Sequence, residues 1–406
     1  MLPEFIVSID IGTDRIAVLV GETGDGEEMR IIGASARPSR GIRKGLVVDM
    51  EEAAECIREA VAHAGRMAGV EVHGVCAGVT GPHIRSFNSR GMIPVPEDSG
   101  EVTAEDVDRV TGIASSITLP ADTEVVHSIP QDFVVDGHRG VRDPVGMTAS
   151  RLGTEIHLVT GQSVQIENTV KVIEKAGFDV VNIVFNPVAS ARSVLEPDEI
   201  ESGCLLVDIG AGVSSFVLYG AGTIRASGVL PAGGANVTND LAVGLRIKNP
   251  VAEEIKLMHG LALASLAGAD ETVEVPAGEN GGGEIRREII AAIIEPRCEE
   301  IFSMIKESVE NDPHFAAGGG VVLTGGGSKI EGLAGVAAQV FNMPVRTGRP
   351  SGLGGLSEIV SNESWSAVVG LVLHERDRLK REEQDRRRRN RVSRWIGNLK
   401  RLAGTF

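Results

Sequence analysis

One short pattern occurs twice, far apart in the chain, and it constrains the fold more than any other feature. Phe5-Ile-Val-Ser-Ile-Asp-Ile-Gly12 and Cys204-Leu-Leu-Val-Asp-Ile-Gly210 are both apolar runs that end in Asp-Ile-Gly. A short turn follows each, then a second apolar run, Ile16 to Val20 or Ser214 to Tyr219, closing on Gly21 or Gly220. The apolar residues do not alternate, so each first run reads as a strand buried on both faces. A unit seen twice at large spacing is a duplicated supersecondary element, not a solenoid period. It predicts two related lobes, which also suits a chain of 406 residues, too long for one compact core.

The remaining segments alternate strand and helix. Asp49 is a candidate N-cap for a helix through Met67, and Val72 to Val79 reads as a further buried strand. Helical spacing covers Val164 to Ala176, Val180 to Phe185 is a strand, and a helix follows Pro187. Alternation of this kind implies an α/β architecture. Ile84 to Gln162 differs: it is richer in Pro, Thr103 and Asp106 stand in capping-box spacing, and a short strand covers Glu155 to Thr160. We read it as an inserted subdomain. From Asn236 to Asn311 the pattern is mainly helical, interrupted by a glycine-rich stretch at Gly278 to Gly283. Val321-Val-Leu323 is a buried strand between glycine clusters, and a helix is expected from Lys329.

The expected organisation is a first-lobe core at 1–83 and 163–195, interrupted by the insert at 84–162. A second-lobe core covers 196–235 and 310–359 around a helical subdomain at 236–309. A helix at 360–375 returns to the first lobe, followed by a charged linker at 376–391 and an amphipathic helix at 392–406.

Glycine turns follow three of the buried strands. A phosphate approaches a backbone closely only where side chains are absent, and the turn's N–H groups then act as donors. The first turn is Gly12 and Thr13; the second is Gly210 to Gly212, with Ser214 just beyond. The third is Gly325, Gly326 and Gly327, before a helix whose N-terminus favours anions. Gly233 and Gly234 offer a fourth close approach. Asp10 and Asp208 are expected to point into the cleft between the lobes. Two carboxylates facing a polyphosphate are tolerable with a divalent cation between them, and Mg²⁺ is usually held this way, largely through water. Any single Asp-x-Gly also reads as an ordinary β-turn; the specificity lies in the ordered set.

Charge is divided unevenly. Residues 376–406 carry 12 Lys and Arg against 4 Asp and Glu, so a tail of +8 leaves −24 of the formal −16 on the rest. An acidic body argues against nucleic-acid binding, and a basic tail suggests contact with an anionic surface. In the tail, Val392, Trp395, Ile396, Leu399 and Leu402 fall at helical spacings on one stripe, with Arg394 and Lys400 to the sides and Phe406 able to extend it. This is the pattern of a helix lying in a membrane interface, helped by Arg386 to Arg389 at about 1 kcal/mol per charge near anionic lipid. Gly397 weakens the isolated helix by roughly 1 kcal/mol, so it is expected to fold on the bilayer. The alternatives are a helix packed on the protein or a partner, and a nucleic-acid-binding tail. No apolar stretch reaches transmembrane length, no basic region precedes the first apolar run as in a secretory leader, and Cys56, Cys76, Cys204 and Cys298 form no spaced pair. A cytoplasmic, reducing location is expected.

With these residues in view, the chain resembles the actin, heat-shock chaperone and sugar kinase superfamily. The paired Asp-Ile-Gly turns and Leu323-Thr-Gly-Gly-Gly-Ser328 carry that likeness. Within it the chain is similar to the FtsA family almost end to end, through His127-Ser-Ile-Pro-Gln-Asp-Phe133, Asp143-Pro-Val-Gly-Met147, Asn186-Pro-Val-Ala-Ser190, Pro231-Ala-Gly-Gly-Ala235, Glu254-Ile-Lys256 and Val321 to Gly327. The resemblance implies an actin-like fold with duplicated ribonuclease H-like lobes and an FtsA-type insert in the first. It implies ATP and Mg²⁺ as ligands, with Glu253 and Lys256 beside the ribose and adenine; by themselves these two read equally as a surface ion pair.

It further implies head-to-tail self-assembly involving the insert, and tethering of the tubulin-like protein FtsZ to the inner face of the cell membrane at the division site. The FtsZ C-terminal peptide would dock on the second lobe's helical subdomain, and other division proteins would be recruited. Two departures bear on turnover. Ala211, Val213 and Ser215 stand where the superfamily commonly has Gly, Thr and Asp, and Asn186 stands where actins carry a water-orienting Gln. ATP binding with slow or no hydrolysis is therefore expected. The competing readings are an actin-like pilus-assembly adaptor, which generally lacks the amphipathic tail, and a small-molecule kinase, for which no general base is evident.

Overall fold

The computed structural model describes residues 4–24, 29–96, 100–268, 270–275, 283–356 and 358–403, with the backbone alone described at 316–317 and 385–403. The first lobe opens with β1 (Phe5–Ile11), β2 (Arg15–Thr23), β3 (Met29–Pro38), the hairpin β4 (Ile42–Arg43) and β5 (Leu46–Val47), α1 (Met50–Ala68) and β6 (Gly74–Val79). Asp49 Oδ1 accepts the N–H groups of Glu51 and Glu52, both at 3.0 Å, and starts α1; Gly69 at φ 70° ends it. The chain leaves for the insert, β7 (Ile84–Pro94), α2 (Ala104–Ser115), β8 (Thr123–Val135), β9 (His138–Val141) and β10 (Arg151–Gln162). It returns as α3 (Ser163–Lys175), β11 (Asp179–Phe185) and α4 (Asn186–Val194).

The second lobe runs α5 (Pro197–Ser202), β12 (Leu205–Ile209), β13 (Ser214–Gly220), β14 (Thr223–Leu230), α6 (Gly234–Leu245) and α7 (Asn249–His259). It continues with β15 (Thr272–Val275), β16 (Gly283–Arg286), α8 (Arg287–Val309), α9 (Pro313–Ala317), β17 (Val321–Thr324), α10 (Leu333–Phe341) and β18 (Val345–Thr347). The chain then crosses back, adding β19 (Gly354–Gly355) beside β3 and ending in α11 (Ser366–Ala403).

The sheets have the orders β11-β6-β1-β2-β3-β19 and β14-β13-β12-β17-β18. In each, the strand ending in Asp-Ile-Gly is central. β1 is antiparallel to β2 and parallel to β6; β12 is antiparallel to β13 and parallel to β17. Both faces of β1 are covered, which is why its apolar residues run on without alternation. Val7, Ile9 and Ile11 pack with Ile57 and Val61 of α1, while Ile6 packs with Val368 and Val372 of α11. Ser8, on that second face, donates from Oγ to the Val368 carbonyl at 2.9 Å.

The insert's sheet, β7-β10-β8-β9, meets the edge strand of the other lobe. Asn88 Nδ2 donates to the Arg225 carbonyl at 3.0 Å, Gln131 Nε2 to the Ile224 carbonyl at 2.8 Å, and Arg225 pairs with Asp132 at 2.7 Å. A segment carried by the first lobe is thus fastened to β14 of the second.

Three local expectations change. The helix expected from Lys329 begins at Leu333, after a single 3₁₀ turn over Gly326–Lys329. Ile330 is extended and Gly332 takes φ 79°, so helix cannot continue through them. The mainly helical region contains the β15–β16 ladder, whose Thr272-Val-Glu-Val275 alternates exposed and buried as a strand does. The Gly278 to Gly282 part of the glycine-rich stretch, like Phe406, lies outside the described residues. Finally, 376–391 is not a loop: α11 is one helix through Ala403. Its Lys, Arg and Glu residues favour helix, and Arg378 spans Glu375 and Glu382 at 2.5 Å each, one turn to either side. The four cysteines are buried free thiols.

A candidate nucleotide site between the lobes

The sheets bring the tips of β1 and β12 together across α4. Asn186 Nδ2 donates to Asp10 Oδ1 at 2.8 Å, and Ser190 Oγ donates to Asp208 Oδ2 at 2.6 Å. The two carboxylates line one cavity of about 540 Å³, together with Gly12 and Thr13, Gly210 and Gly212, Gly325 to Gly327, and Gly234, Glu253 and Lys256. That volume lies in the range of small-molecule and cofactor sites.

The first two turns close alike. Gly12 N–H donates to the Arg15 carbonyl at 3.0 Å, and Gly210 N–H to the Val213 carbonyl at 2.9 Å. The start of α6 is stitched to the second turn, with Gly234 N–H on the Gly210 carbonyl at 2.9 Å and Ala235 N–H on the Ala211 carbonyl at 2.8 Å. The glycines serve two purposes. At Gly325, φ is 86° and a Cβ would stand 2.3 Å from Asp208 Oδ1, so glycine is needed to make the turn itself. At Gly326 a Cβ would meet nothing nearer than Ser364 at 3.7 Å, and the space in front of it belongs to the cavity.

Two expected residues stand back from the wall. Ser214 is buried and its hydroxyl donates to the Ala232 carbonyl at 2.8 Å. Side chains alternate along β13, so Ser215, paired in register with Asp208, lines the cavity instead. Gly233 lies behind the second turn, where a Cβ would be 2.5 Å from the Gly210 carbonyl. Thr13 Oγ1 accepts the Gly45 N–H at 3.2 Å and is thereby tied to the β4–β5 hairpin.

Lys256 and Glu253 form an ion pair at 2.7 Å, with the lysine only 9% exposed. Lys256 Nζ also donates to Thr238 Oγ1 at 2.9 Å and to the Gly234 carbonyl at 3.2 Å, which pins it across the first turn of α6.

Burial dominates the electrostatics. It raises the Asp10 carboxyl above the usual range, against Arg15 and the hydrogen bond from Asn186. It pushes Asp208 up to about 6, against the Ser190 hydrogen bond, with Asp10 adding to the rise and Arg15 opposing it. Arg15 escapes motif reading because it stands in the returning strand rather than the turn. Its guanidinium stacks on Trp365 at 5.2 Å, donates to the Ser364 carbonyl and feels Asp10, Asp14 and Asp208. A cation directly after a phosphate-type turn was the available signal. Lys329 Nζ, 3.2 Å from Ser364 Oγ, lines the same cavity.

These residues fit a metal-bound polyphosphate. Two buried carboxylates whose charge is disfavoured would be relieved by a cation. Asn186 Oδ1 and Thr80 Oγ1, both on cavity-lining residues, are buried without a hydrogen-bond partner. Among the described residues no cluster of three or more His, Cys, Asp or Glu could hold a metal by itself. A cation at Asp10 and Asp208 would therefore depend on ligand oxygens and water for the rest of its shell.

Two lobes built on one repeated strand–turn–strand unit, with a cavity of this kind between them, define an actin-like protein. Solved structures agree. The PilM–PilN type IV pilus biogenesis complex superposes with a TM-score of 0.67 at 17% identity, covering 91% of this chain and 98% of that one. MreB 5 of Spiroplasma citri bound to AMPPNP gives 0.57 at 14%, covering 95% and 100%. At such identities the likeness is one of fold. The sequence is more specific. Residues 81–160 match the SHS2 domain inserted in FtsA, and 205–370 match cell division protein FtsA. Cell division protein FtsA of Pseudomonas aeruginosa is 40% identical over 374 residues, covering 91% of this chain and 89% of the relative. That of Escherichia coli K12 is 36% identical over 409 residues, covering 98% and 96%. The chain belongs to the FtsA family of cell division proteins.

Proposed function

We propose that this cell division protein binds ATP with Mg²⁺ between its lobes, assembles head to tail, and lies on the inner face of the cell membrane through residues 392–402. There it holds FtsZ by its C-terminal peptide, on the α6–α8 side of the second lobe, and recruits further division proteins. The observation that carries the reading is that Asp10 and Asp208, one from each lobe, are held by hydrogen bonds from one helix beside three glycine turns.

In this reading the glycine turns let the phosphates approach the backbone closely, with the Gly12 and Gly210 N–H groups closing their own turns and the Gly326 N–H facing the cavity, and with Arg15 and Lys329 beside them. Glu253 and Lys256 lie on the nucleoside side. Asp10 and Asp208 would hold Mg²⁺ largely through water, and the cation would neutralise phosphate charge that the two carboxylates otherwise repel. Asn186, with its Nδ2 held by Asp10, stands where actins carry a longer water-orienting Gln, and on that departure turnover is slow. MreB 5, with the same fold, is known bound to ADP and to AMPPNP. Membrane binding is supported by the apolar stripe at 392, 395, 396, 399 and 402, in a stretch whose backbone is helical. No helix of the described residues is long and apolar enough to cross a membrane.

The test is co-sedimentation with liposomes containing anionic lipid, in the presence of ATP, for the intact chain and for a chain ending at Arg391. The intact chain is expected in the pellet and the shortened one in the supernatant. Equal pelleting of both removes the anchoring role.

A further inference from the structure

The tip of the β4–β5 hairpin joins the two lobes beside the glycine turns. Its ladder is Ile42 with Val47 and Arg43 with Leu46, so Lys44 and Gly45 form a two-residue turn. Their φ values are 49° and 73°, positive at both positions as a tight hairpin turn demands. The base is fixed. Ile42 and Val47 pack into the first-lobe core, and the Gly41 carbonyl accepts the Val48 N–H at 2.8 Å and the Asp49 N–H at 3.1 Å. The tip touches three neighbours. Gly45, which lines the cavity, donates its N–H to Thr13 Oγ1 of the first turn at 3.2 Å. It also lies against the Thr80 carbonyl, from which a Cβ at Gly45 would stand 2.0 Å. Across the cleft, a Cβ on Gly212 of the second turn would stand 2.9 Å from the Lys44 Cα and 2.4 Å from Thr13 Oγ1.

This seat is close but poorly bonded. In the turn on which the tip rests, Thr80 Oγ1 and both ring nitrogens of His83 are buried without a hydrogen-bond partner. A Cβ on Gly81, between those two residues, would stand 2.7 Å from His83 Nδ1 and 3.3 Å from the Lys44 carbonyl. Burial, with Arg85 acting in the same direction, lowers the His83 pKa to about 4. The ring is therefore neutral at pH 7, with one donor and one acceptor unused. Such groups cost free energy that water would return. No backbone hydrogen bond joins the tip to Gly212 among the described residues. Seated, the tip is held by the bond to Thr13 and by van der Waals contact; lifted, it lets water reach the unpaired atoms. Opposing terms of this kind give an element two arrangements close in free energy. We propose that the hairpin tip is a strap over the phosphate end of the cleft, which leaves Gly212 for nucleotide to exit and is held down while phosphate occupies the first turn. The proposal rests on the nucleotide reading above, and the Thr13–Gly45 hydrogen bond links ligand to strap.

The experiment compares the intact chain with Gly45→Ala and His83→Leu, each loaded with fluorescent N-methylanthraniloyl-ADP and Mg²⁺ and chased with excess ATP. Gly45→Ala cannot seat its tip on the Thr80 carbonyl, and release is expected to quicken roughly fivefold or more. His83→Leu replaces an unpaired polar ring with an apolar side chain of similar size, which steadies the seated strap, and release is expected to slow roughly threefold. Hydrogen exchange at 43–48 follows the strap itself. It is expected to rise in the first variant and fall in the second, and MgADP is expected to slow it in the parent. Equal release from all three proteins overturns the proposal. So does faster release from both variants, which a merely loosened turn would give. If Gly45→Ala does not fold, His83→Leu decides alone. If the parent binds no nucleotide, the cleft reading fails and takes the strap with it; nucleotide bound by all three and released at one rate overturns the strap only.

Discussion

Asn186 and Ser190 lie one helical turn apart on α4, and each donates a hydrogen bond to the carboxylate of a different lobe, at 2.8 Å to Asp10 and 2.6 Å to Asp208. The same helix meets α11 at its other end through Arg192 and Asp377, and Ser193 Oγ donates to the Ser366 carbonyl at 2.8 Å. One short helix therefore touches both halves of the cleft and the root of the tail. Ser190→Ala removes a donor from a buried carboxylate, worth about 1.5–3 kcal/mol when the partner is charged. MgATP affinity at pH 7.5 is expected to fall roughly tenfold, since the bound cation needs Asp208 ionised. Isothermal titration checks it; an unchanged affinity would separate α4 from the site.

The Asp208 carboxyl titrates near 6 instead of the ordinary 3.8. Its folded value is raised, so the folded state holds the proton more tightly than the unfolded chain does. Its contribution to stability is fully present below about pH 4 and is lost as pH rises through 6. Asp208→Asn removes that loss. The ligand-free variant is expected to melt above the parent at pH 7.5, with the difference shrinking toward pH 5, and to bind MgATP much more weakly. Melting curves at the two pH values decide it; a variant that melts below the parent at pH 7.5 contradicts the placement of an ionised, unrelieved Asp208.

Gly325 and Gly326 are neighbours with opposite sensitivities. Gly326→Trp projects into open cavity, so it should leave the melting temperature within a few degrees of the parent and abolish measurable ATP binding. Gly325→Ala places a Cβ against Asp208 Oδ1 at φ 86°, so it should lower stability first, by about 1–3 kcal/mol for the strained backbone alone. Denaturation and ATP titration on the pair separate the two effects. Normal ATP affinity in Gly326→Trp would move the phosphates elsewhere.

His157 joins the insert to the second lobe, between Asn88 Oδ1 at 2.7 Å and Ser227 Oγ at 2.8 Å. The neutral ring with its proton on Nδ1 satisfies both, donating to Asn88 and accepting from Ser227. Burial lowers its pKa from 6.5 to about 4. A depressed value means stability that is present above pH 6.5 and lost as pH falls through 4, opposite in sign to Asp208. Hydrogen exchange along β14 is expected to accelerate between pH 6 and 4, after correction for intrinsic rates, and less so in His157→Gln. Identical profiles would show that the joint does not depend on the imidazole.

Much was legible because local chemistry and tertiary demand coincide. The Asp-Ile-Gly runs read as buried strands, since strands covered on both faces need apolar residues throughout. Asp49 and the Thr103–Asp106 pair announced helix starts through hydrogen bonds that span only three residues. Where two signals compete, the sequence misled. The charge-dense 376–391 stretch has the polarity of a linker and the propensities of a helix, and the backbone follows the second. Ser214 and Ser215 are chemically identical neighbours, and only the register of β13 against β12 decides which hydroxyl faces the cavity.

By itself the sequence determined a duplicated α/β chain with glycine turns after its central strands and a separately textured insert, because repeats, periodicity and close-approach glycines are local facts. Only the tertiary structure decided that Asn186 and Ser190 grip opposing carboxylates, that Arg15, which lines the same cavity, stacks on Trp365, and that the insert fastens to β14 of the other lobe. Those pairings join residues distant in the chain, and their strength comes from shared burial, which no stretch of sequence possesses until the lobes close together.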